Sequence, residues 1–120
     1  MSKIRNFRII DTSLTMEDNG CLTFYLTISG GGWGCSVGGY VLGHGYLSAD
    51  DFVGSADGLE CLMRIMDVVG VESWEDLKGK CIRAEFENFG SSIHKIGNIT
   101  EEKWFDIKEF FAQRNKIREE

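Results

Sequence analysis

The feature that most constrains this chain is the segment Ser29–Gly45, SGGGWGCSVGGYVLGHG, which holds eight glycines among seventeen residues. Glycine in the interior of a strand or helix is destabilising, because it loses more conformational freedom on folding than any other residue. It is typical of places where φ is positive, or where a second backbone or a ligand comes close. Three interpretations are open at this point: a flexible linker, a close-packed strand, and a ligand-holding loop.

The residues on either side of the glycines argue against a linker. The stretch CLTFYLTIS before them alternates between apolar and polar side chains, which is the pattern of a half-buried strand. The stretch CSVGGYVL after the first glycine cluster also alternates, and predicts a third strand. We therefore predict a tight connection into a close-packed strand. Its two faces are expected to carry Cys35, Val37, Gly39 and Val41 on one side, and Ser36, Gly38, Tyr40 and Leu42 on the other.

The rest of the chain supplies three more strands and two helices. A first strand is expected near Ile4–Ile10, joined to the second by a hairpin turn at Asn19-Gly20. Strands are also predicted in CIRAEFEN and in SIHKIGN, with a short helical turn at SWEDLKGK between helix and strand. A helix is expected from Ser55 to Gly70, with an apolar stripe that faces the sheet. That stripe consists of Leu59, Leu62, Met63, Met66 and Val69.

The last predicted element is a C-terminal helix that Thr100 caps. Its apolar side would be formed by Trp104, Ile107 and Phe111. Trp104 and its neighbour Phe105 would then point about 100° apart, so that one seals the core and the other is a candidate for a partner interface.

The order β-β-β-α-β-β-α indicates an α+β fold in a single domain, residues 1–120. Two helices are too few to supply the crossovers of a parallel sheet, so the sheet should be antiparallel. We expect a curled sheet of about five strands, packed against one long helix and a C-terminal helix. The same order occurs in the OB-fold, a five-stranded barrel, so an OB-like arrangement is an alternative.

Composition excludes several classes of function. The chain has 13 basic and 19 acidic residues, a net charge of −6, which argues against binding to duplex nucleic acid. The four cysteines form no CxxC pair, which argues against a zinc site and is typical of free thiols in a reducing cytoplasm. No apolar run is long enough for a membrane span, and MSKIRNF does not have the character of a signal peptide. We expect a cytoplasmic protein that forms a homo-oligomer.

The sequence carries none of the common catalytic and cofactor motifs. The two histidines, His44 and His94, are not accompanied by GxSxG, HExxH or P-loop patterns, and the glycines do not match the dinucleotide fingerprint. Cys35 with His44 is a conceivable thiol and base, but nothing in their spacing indicates a dyad. The sequence therefore predicts a protein without catalytic activity, cofactor or metal.

The glycine segment is the predicted ligand site. Its backbone N–H groups suit an anion, and Trp33 and Tyr40 suit a nucleobase. Basic residues of the last two predicted strands would complete a pocket if those strands lie beside the glycine hairpin. The predicted ligand-binding set is Gly31, Gly32, Trp33, Gly34, Gly38, Gly39, Tyr40, His44, Lys80, Arg83, His94 and Lys95.

Four stretches, DTSLTMEDNGCLTFYLTI, GGYVL, MRIMDVVGVESWEDLKGK and IGNITEEKWFD, give the chain a resemblance to small uncharacterised accessory proteins of phages and prophages. The resemblance covers most of the chain and assigns no chemistry to any residue. It implies a role in bacterial host cytoplasm, in DNA handling or in non-enzymatic inhibition of host defence.

Together with the residues, this resemblance favours a non-catalytic anti-defence protein that sequesters a small nucleotide or another phosphorylated signal. One alternative is an inhibitor that binds and blocks a host defence nuclease such as a CRISPR effector. Another is an OB-like accessory protein that binds single-stranded DNA.

Overall fold

A computed structural model describes residues 2–17, 20–45, 52–88 and 92–119, and shows an antiparallel sheet with two helices. The α+β class and the antiparallel sheet are confirmed. The strand order across the sheet is β4-β3-β2-β1-β5-β6-β7. The strands are β1 (Lys3–Met16), β2 (Cys21–Gly30), β3 (Trp33–Gly45), β4 (Phe52–Gly54), β5 (Cys81–Phe86), β6 (Lys95–Gly97) and β7 (Trp104–Asp106). The helices are α1 (Ala56–Val69) and α2 (Ile107–Glu119), with a 3₁₀ turn at Trp74–Leu77.

Three details of the predicted architecture are wrong. The sheet has seven strands rather than five, because β4 and β7 are three residues each, too short to show an alternating pattern. It is open, since β4 and β7 lie at opposite edges and do not pair within the described residues, so the OB-like barrel is not formed. The two helices, of 14 and 13 residues, are nearly equal in length, so the prediction of one long helix is also wrong.

The core lies on one face of the sheet, under both helices. The alternation of β2 is confirmed, because Phe24, Leu26 and Ile28 are fully buried. In β5 the buried residues are Ile82, Ala84 and Phe86. Strand β1 stands at the centre of the sheet and pairs with β2 on one side and β5 on the other.

The predicted β1–β2 hairpin and the short helical turn after α1 are both present. β1 and β2 form the expected hairpin, in which Met16 pairs with Leu22; Asn19 of the predicted turn lies outside the described residues. The short helical turn after α1 is the 3₁₀ turn, and Gly79 follows it with φ of +93°.

In the described part of the chain, no helix is both long and apolar enough to cross a bilayer.

Helix α1 has the predicted ends but presents a different face to the sheet. Ser55 accepts a hydrogen bond from the Gly58 N–H at its start, and Gly70 adopts a left-handed conformation at its end. A Cβ on Gly58 would lie 2.9 Å from the Leu42 Cα, so the helix packs onto β3 through this glycine. This contact turns the side of Gly58, Cys61, Ile65 and Val68 towards the sheet.

The predicted apolar stripe of α1 is therefore partly wrong. Leu59 and Met63 are 65% and 64% exposed, whereas Leu62 and Val69 are partly buried against the core. The sequence pattern assigns the buried face of the helix from its large apolar side chains. The helix comes closest to the sheet at Gly58, however, which has no side chain and therefore does not contribute to that pattern.

The predicted helix cap at Thr100 is wrong, because the chain reverses at this point instead. The Asn98 side-chain oxygen accepts hydrogen bonds from the N–H groups of Thr100 and Glu101, at 3.0 and 2.9 Å. This turn brings Trp104–Asp106 back against β6 as a strand, and α2 begins only at Ile107.

Strand β3 contains two irregularities that the predicted faces did not include. Its pairing with β2 shifts between Thr23 and Tyr25 and again between Leu22 and Thr23, and each shift adds one residue to β3. Gly38 and Gly39, with φ of +130° and +87°, lead into the first bulge, in which Gly39 and Tyr40 together lie opposite Phe24. The bulge brings Tyr40 to the core side that Val37 also faces, so the predicted separation of these two residues is wrong.

Candidate functional site

A cleft opens where the end of β3 meets β4 and both helices, with a volume of about 540 Å³. Small-molecule sites in proteins have volumes of roughly 300–1,000 Å³. Its walls combine apolar and polar groups from four elements. The principal lining residues are Tyr40, Gly43, His44, Ser55, Phe111 and Asn115.

The start of α1 forms one wall of the cleft. The Ser55 N–H donates to the Leu42 carbonyl at 2.9 Å, which fixes the helix start against β3. The Ser55 Oγ accepts from the Gly58 N–H at 3.0 Å. The N–H groups of a first helical turn have no acceptor within the helix, and this end carries a partial positive charge. This wall therefore favours an anionic or hydrogen-bond-accepting group.

Asp57, which lines the cleft, and its neighbour Glu60 on α1 are both paired with arginines. Arg114 of α2 lies 3.5 Å from Asp57 and 2.9 Å from Glu60, and Arg64 lies 2.7 Å from Glu60. The hydrogen bond from Arg64, with Arg114 adding to it, holds the pKa of Glu60 below its ordinary value. Two carboxylates and two guanidinium groups give this cluster no net charge.

Tyr40 belongs to both the core and the cleft. Its ring stacks on Phe111, with centroids 5.0 Å apart and planes 18° apart, and on Phe24 at 6.4 Å. Burial, with Asp106 adding to it, raises the pKa of the Tyr40 hydroxyl. Tyr40 is half-buried and already stacks on two rings of the protein, whereas the prediction expected its ring to stack on a base.

His44 lies at the mouth of the cleft beside a cysteine that sequence reasoning did not select. Its Nδ1 is 3.4 Å from the Cys21 Sγ, across the β2–β3 pair. An uninterrupted hairpin closed by Gly30 and Trp33 would pair Cys21 with Leu42. The two extra residues of β3 move the partner to position 44. Cys35 pairs with Ile28 instead, so it does not lie opposite Cys21 or His44.

The hairpin tip lies at the opposite end of β3 from the cleft. Gly31 and Gly32 form its two-residue turn with φ of +60° and +80°. Trp33 packs against Phe7 and Phe86, with ring centroids 5.6 and 5.1 Å apart. The predicted ligand set is therefore divided: Gly31, Gly32, Trp33 and Gly34 lie at the tip, whereas Tyr40 and His44 line the cleft and Gly38 and Gly39 lie between them.

The predicted basic residues do not adjoin the glycine hairpin, because β2 and β1 separate β3 from β5. Arg83 donates to the carbonyls of Asn98 and Glu101, both at 2.7 Å, and pairs with Glu102 at 3.0 Å. Its guanidinium therefore holds the turn between β6 and β7, and it also holds the pKa of Glu102 below its ordinary value.

The remaining basic candidates also have acidic neighbours. Lys95 lies 3.5 Å from Glu85, and the His94 Nδ1 lies 3.4 Å from Asp106. Lys80 is exposed and lines a surface groove with Glu75 and Asp76, among other residues. A common pocket of these residues with the hairpin is not formed.

Trp104 and Phe105 point to opposite faces of the sheet, because they lie on a strand rather than on the predicted helix. Phe105 is the one that enters the core, at 8% exposure. Trp104 lies on the open face, where its ring contacts the Arg83 guanidinium at 4.6 Å and the Lys95 ammonium at 5.6 Å. A partner interface at Trp104 remains a prediction.

Among the residues that the structure describes, no group of three or more His, Cys, Asp or Glu side chains is arranged to hold a metal ion. No protein family, no curated protein and no solved structure matched the chain in comparisons with each.

Proposed function

We propose that this protein is a non-catalytic binding protein that sequesters a small nucleotide or another phosphorylated signal in the cleft between β3, β4, α1 and α2. The observation that carries the proposal is the cleft itself, about 540 Å³ in volume, with the N-terminus of α1 in one wall and Phe111 in another. In this proposal the protein acts against a bacterial defence signal, the role that the resemblance to phage accessory proteins suggests.

The chemistry of the walls supports a ligand with an anionic end and a planar end. The start of α1 and the imidazole of His44 suit a phosphate, while the neutralised cluster around Arg114 adds no net negative charge. Phe111 offers apolar contact to a base or ribose, and the Asn115 amide can donate to and accept from a base edge. Sequestration requires only these contacts.

Thermal unfolding with a panel of cyclic nucleotides and ADP-ribose derivatives tests the proposal, with calorimetry for any compound that raises the Tm. A ligand at a hundredfold excess over its Kd stabilises the fold by about 2.7 kcal/mol, roughly 10 °C in Tm for a small domain. Asn115→Ala and His44→Ala should reduce the shift. Ser36→Ala, on β3 but away from the cleft, is the matched control. If no compound raises the Tm by two degrees at millimolar concentration, sequestration is wrong.

A further inference from the structure

The outer edge of β3, on the side away from β2, is paired over only a small part of its length. Strand β4 pairs only with Gly43–Gly45, and Leu42 binds Ser55 through its carbonyl. Between residues 33 and 41, no strand of the described chain pairs with this edge. Gly34 and Ser36 are exposed there.

Residues 33–37 of this edge carry none of the devices that usually keep sheet edges from pairing. Protected edges are short, carry charges or proline, or are interrupted by bulges. Strand β3 is 13 residues long and contains no charged residue and no proline. The opposite edge, β7, is three residues long and ends at Asp106. The bulge that follows Gly38 leaves residues 33–37 as the regular part of the β3 edge.

The hairpin register determines which groups of this segment point outward. In a two-residue turn with positive φ at both positions, the flanking residues form a hydrogen-bonded pair, and such pairs then alternate along the strands. Gly30 and Trp33 flank the turn, so Trp33, Cys35 and Val37 direct their N–H and C=O groups towards β2. Gly34 and Ser36 direct theirs outward.

We propose that two copies of this chain pair through residues 33–37 as antiparallel strands, about a twofold axis at Cys35. Gly34 of each copy then exchanges two hydrogen bonds with Ser36 of the other, and the two sheets become one. The outward groups are symmetric about Cys35, so the segment is complementary to itself. Although the chain carries a net charge of −6, identical uncharged segments bring no like charges opposite one another.

The same register places the two Cys35 residues directly opposite as a pair without hydrogen bonds between them. The Cα atoms of such a pair are about 4.5 Å apart, a distance that a disulfide spans. Trp33 of each copy lies opposite Val37 of the other, an aromatic and β-branched pair of the kind that stabilises sheets. Cys35 is half-buried at this edge of the core, which leaves it accessible to an oxidant.

Light scattering after gel filtration, combined with cross-linking of the full chain, tests the pairing. We expect a dimer at 100 µM. Copper-phenanthroline oxidation should give a Cys35–Cys35 disulfide by mass spectrometry, lost in Cys35→Ser and retained in Cys81→Ser, which removes an exposed thiol. Ser36→Pro removes an outward N–H and should give a monomer with an unchanged circular dichroism spectrum. Ser36→Ala keeps that N–H and should remain a dimer.

A monomeric wild-type chain at 100 µM overturns the proposal. So does a dimer that contains no Cys35 linkage after oxidation, since its interface must then lie elsewhere. Because the cross-link is measured on the wild-type chain, a failure of Ser36→Pro to fold does not remove the test. The result is independent of the cleft, whose lining does not include residues 33–37.

Discussion

The rings of Tyr40 and Phe111 stack almost parallel, at 5.0 Å and 18°, so that one aromatic contact joins the glycine-rich strand to the C-terminal helix. The contact exists because the bulge that follows Gly38 turns Tyr40 to the core side of β3. It also forms part of the cleft, which links the stability of α2 to the shape of the candidate site.

Phe111→Ala should weaken this junction. Loss of a half-buried aromatic ring that stacks on another is expected to lower the free energy of unfolding by about 2 kcal/mol. Urea unfolding followed by circular dichroism measures the change. Tyr40→Phe keeps the stacked ring and should cost less than about 1 kcal/mol. Equal losses in the two variants would show that the hydroxyl of Tyr40, rather than the stack, holds α2.

Gly38→Ala should be among the most damaging single changes in the chain. Gly38 has φ of +130°, and an added Cβ would lie 2.3 Å from the Phe24 carbonyl oxygen. The strained backbone and the clash together should cost about 3 kcal/mol or more.

Gly32→Ala is the control for Gly38→Ala. Gly32 has φ of +80° with nothing within 4 Å of an added Cβ, so only the backbone strain applies, about 1 kcal/mol. Thermal unfolding compares the two variants. Equal effects would contradict the close approach of β2 at the bulge.

The bulge also marks the limit of sequence reasoning for β3. The alternation in CSVGGYVL predicted a strand, and the strand is confirmed, but the pattern alone does not reveal where one residue is added to one side of a ladder. After that point every face assignment shifts. For the same reason the sequence does not predict the contact between Cys21 and His44, because their pairing depends on the two residues that the bulges add to β3.

Long alternating stretches were more predictable than short elements. The faces of β2 and β5 follow from their own residues, because the extra residues at the bulges belong to β1 and β3 and leave the alternation within β2 and β5 unbroken. The three-residue strands β4 and β7 depend on neighbours rather than on their own composition. The basic candidates failed to join the hairpin because the strand order is a property of the whole sheet, in which β1 stands between β2 and β5.

Asn98 should be a structural residue of unusual importance. It is buried, donates to the Val68 carbonyl at the end of α1 at 2.9 Å, and accepts from two N–H groups of the following turn. Asn98→Ala leaves these buried groups without a partner and should cost about 3 kcal/mol.

Asn98→Asp gives a sharper test of the same role. An aspartate still accepts from the turn, but its charge faces the Val68 carbonyl, so this variant should be less stable than wild type at pH 7. Protonation at low pH restores a donor, and the difference from wild type should shrink there. Denaturant unfolding at pH 4 and pH 7 measures it. A difference that does not change with pH would contradict the donor role.

Cys61 should make stability fall at alkaline pH. Burial in α1 raises the pKa of its thiol from about 9.0 to about 12. Between these values the unfolded chain loses a proton that the folded chain keeps, so the free energy of unfolding falls as pH rises, by about 1.4 kcal/mol per pH unit. Below pH 9 this contribution is constant.

The measurement is urea unfolding at intervals from pH 8 to pH 11, with Cys61→Ala as the reference. The variant should be less stable than wild type at pH 8 because of the cavity, and the gap should close as pH rises. Parallel curves for the two proteins would show that the Cys61 thiol does not stay protonated in the fold.

The central position of β1 has a consequence for how the chain folds during synthesis. Its partner β2 follows after one short turn, whereas its other partner, β5, is made only after α1. Formation of local hairpins is fast, and the long-range pairing with β5 should be the slow step. Until then the nascent chain has an open edge along Lys3–Arg8. Three basic side chains, Lys3, Arg5 and Arg8, lie on that edge, and charges of this kind discourage aggregation while β5 is still absent.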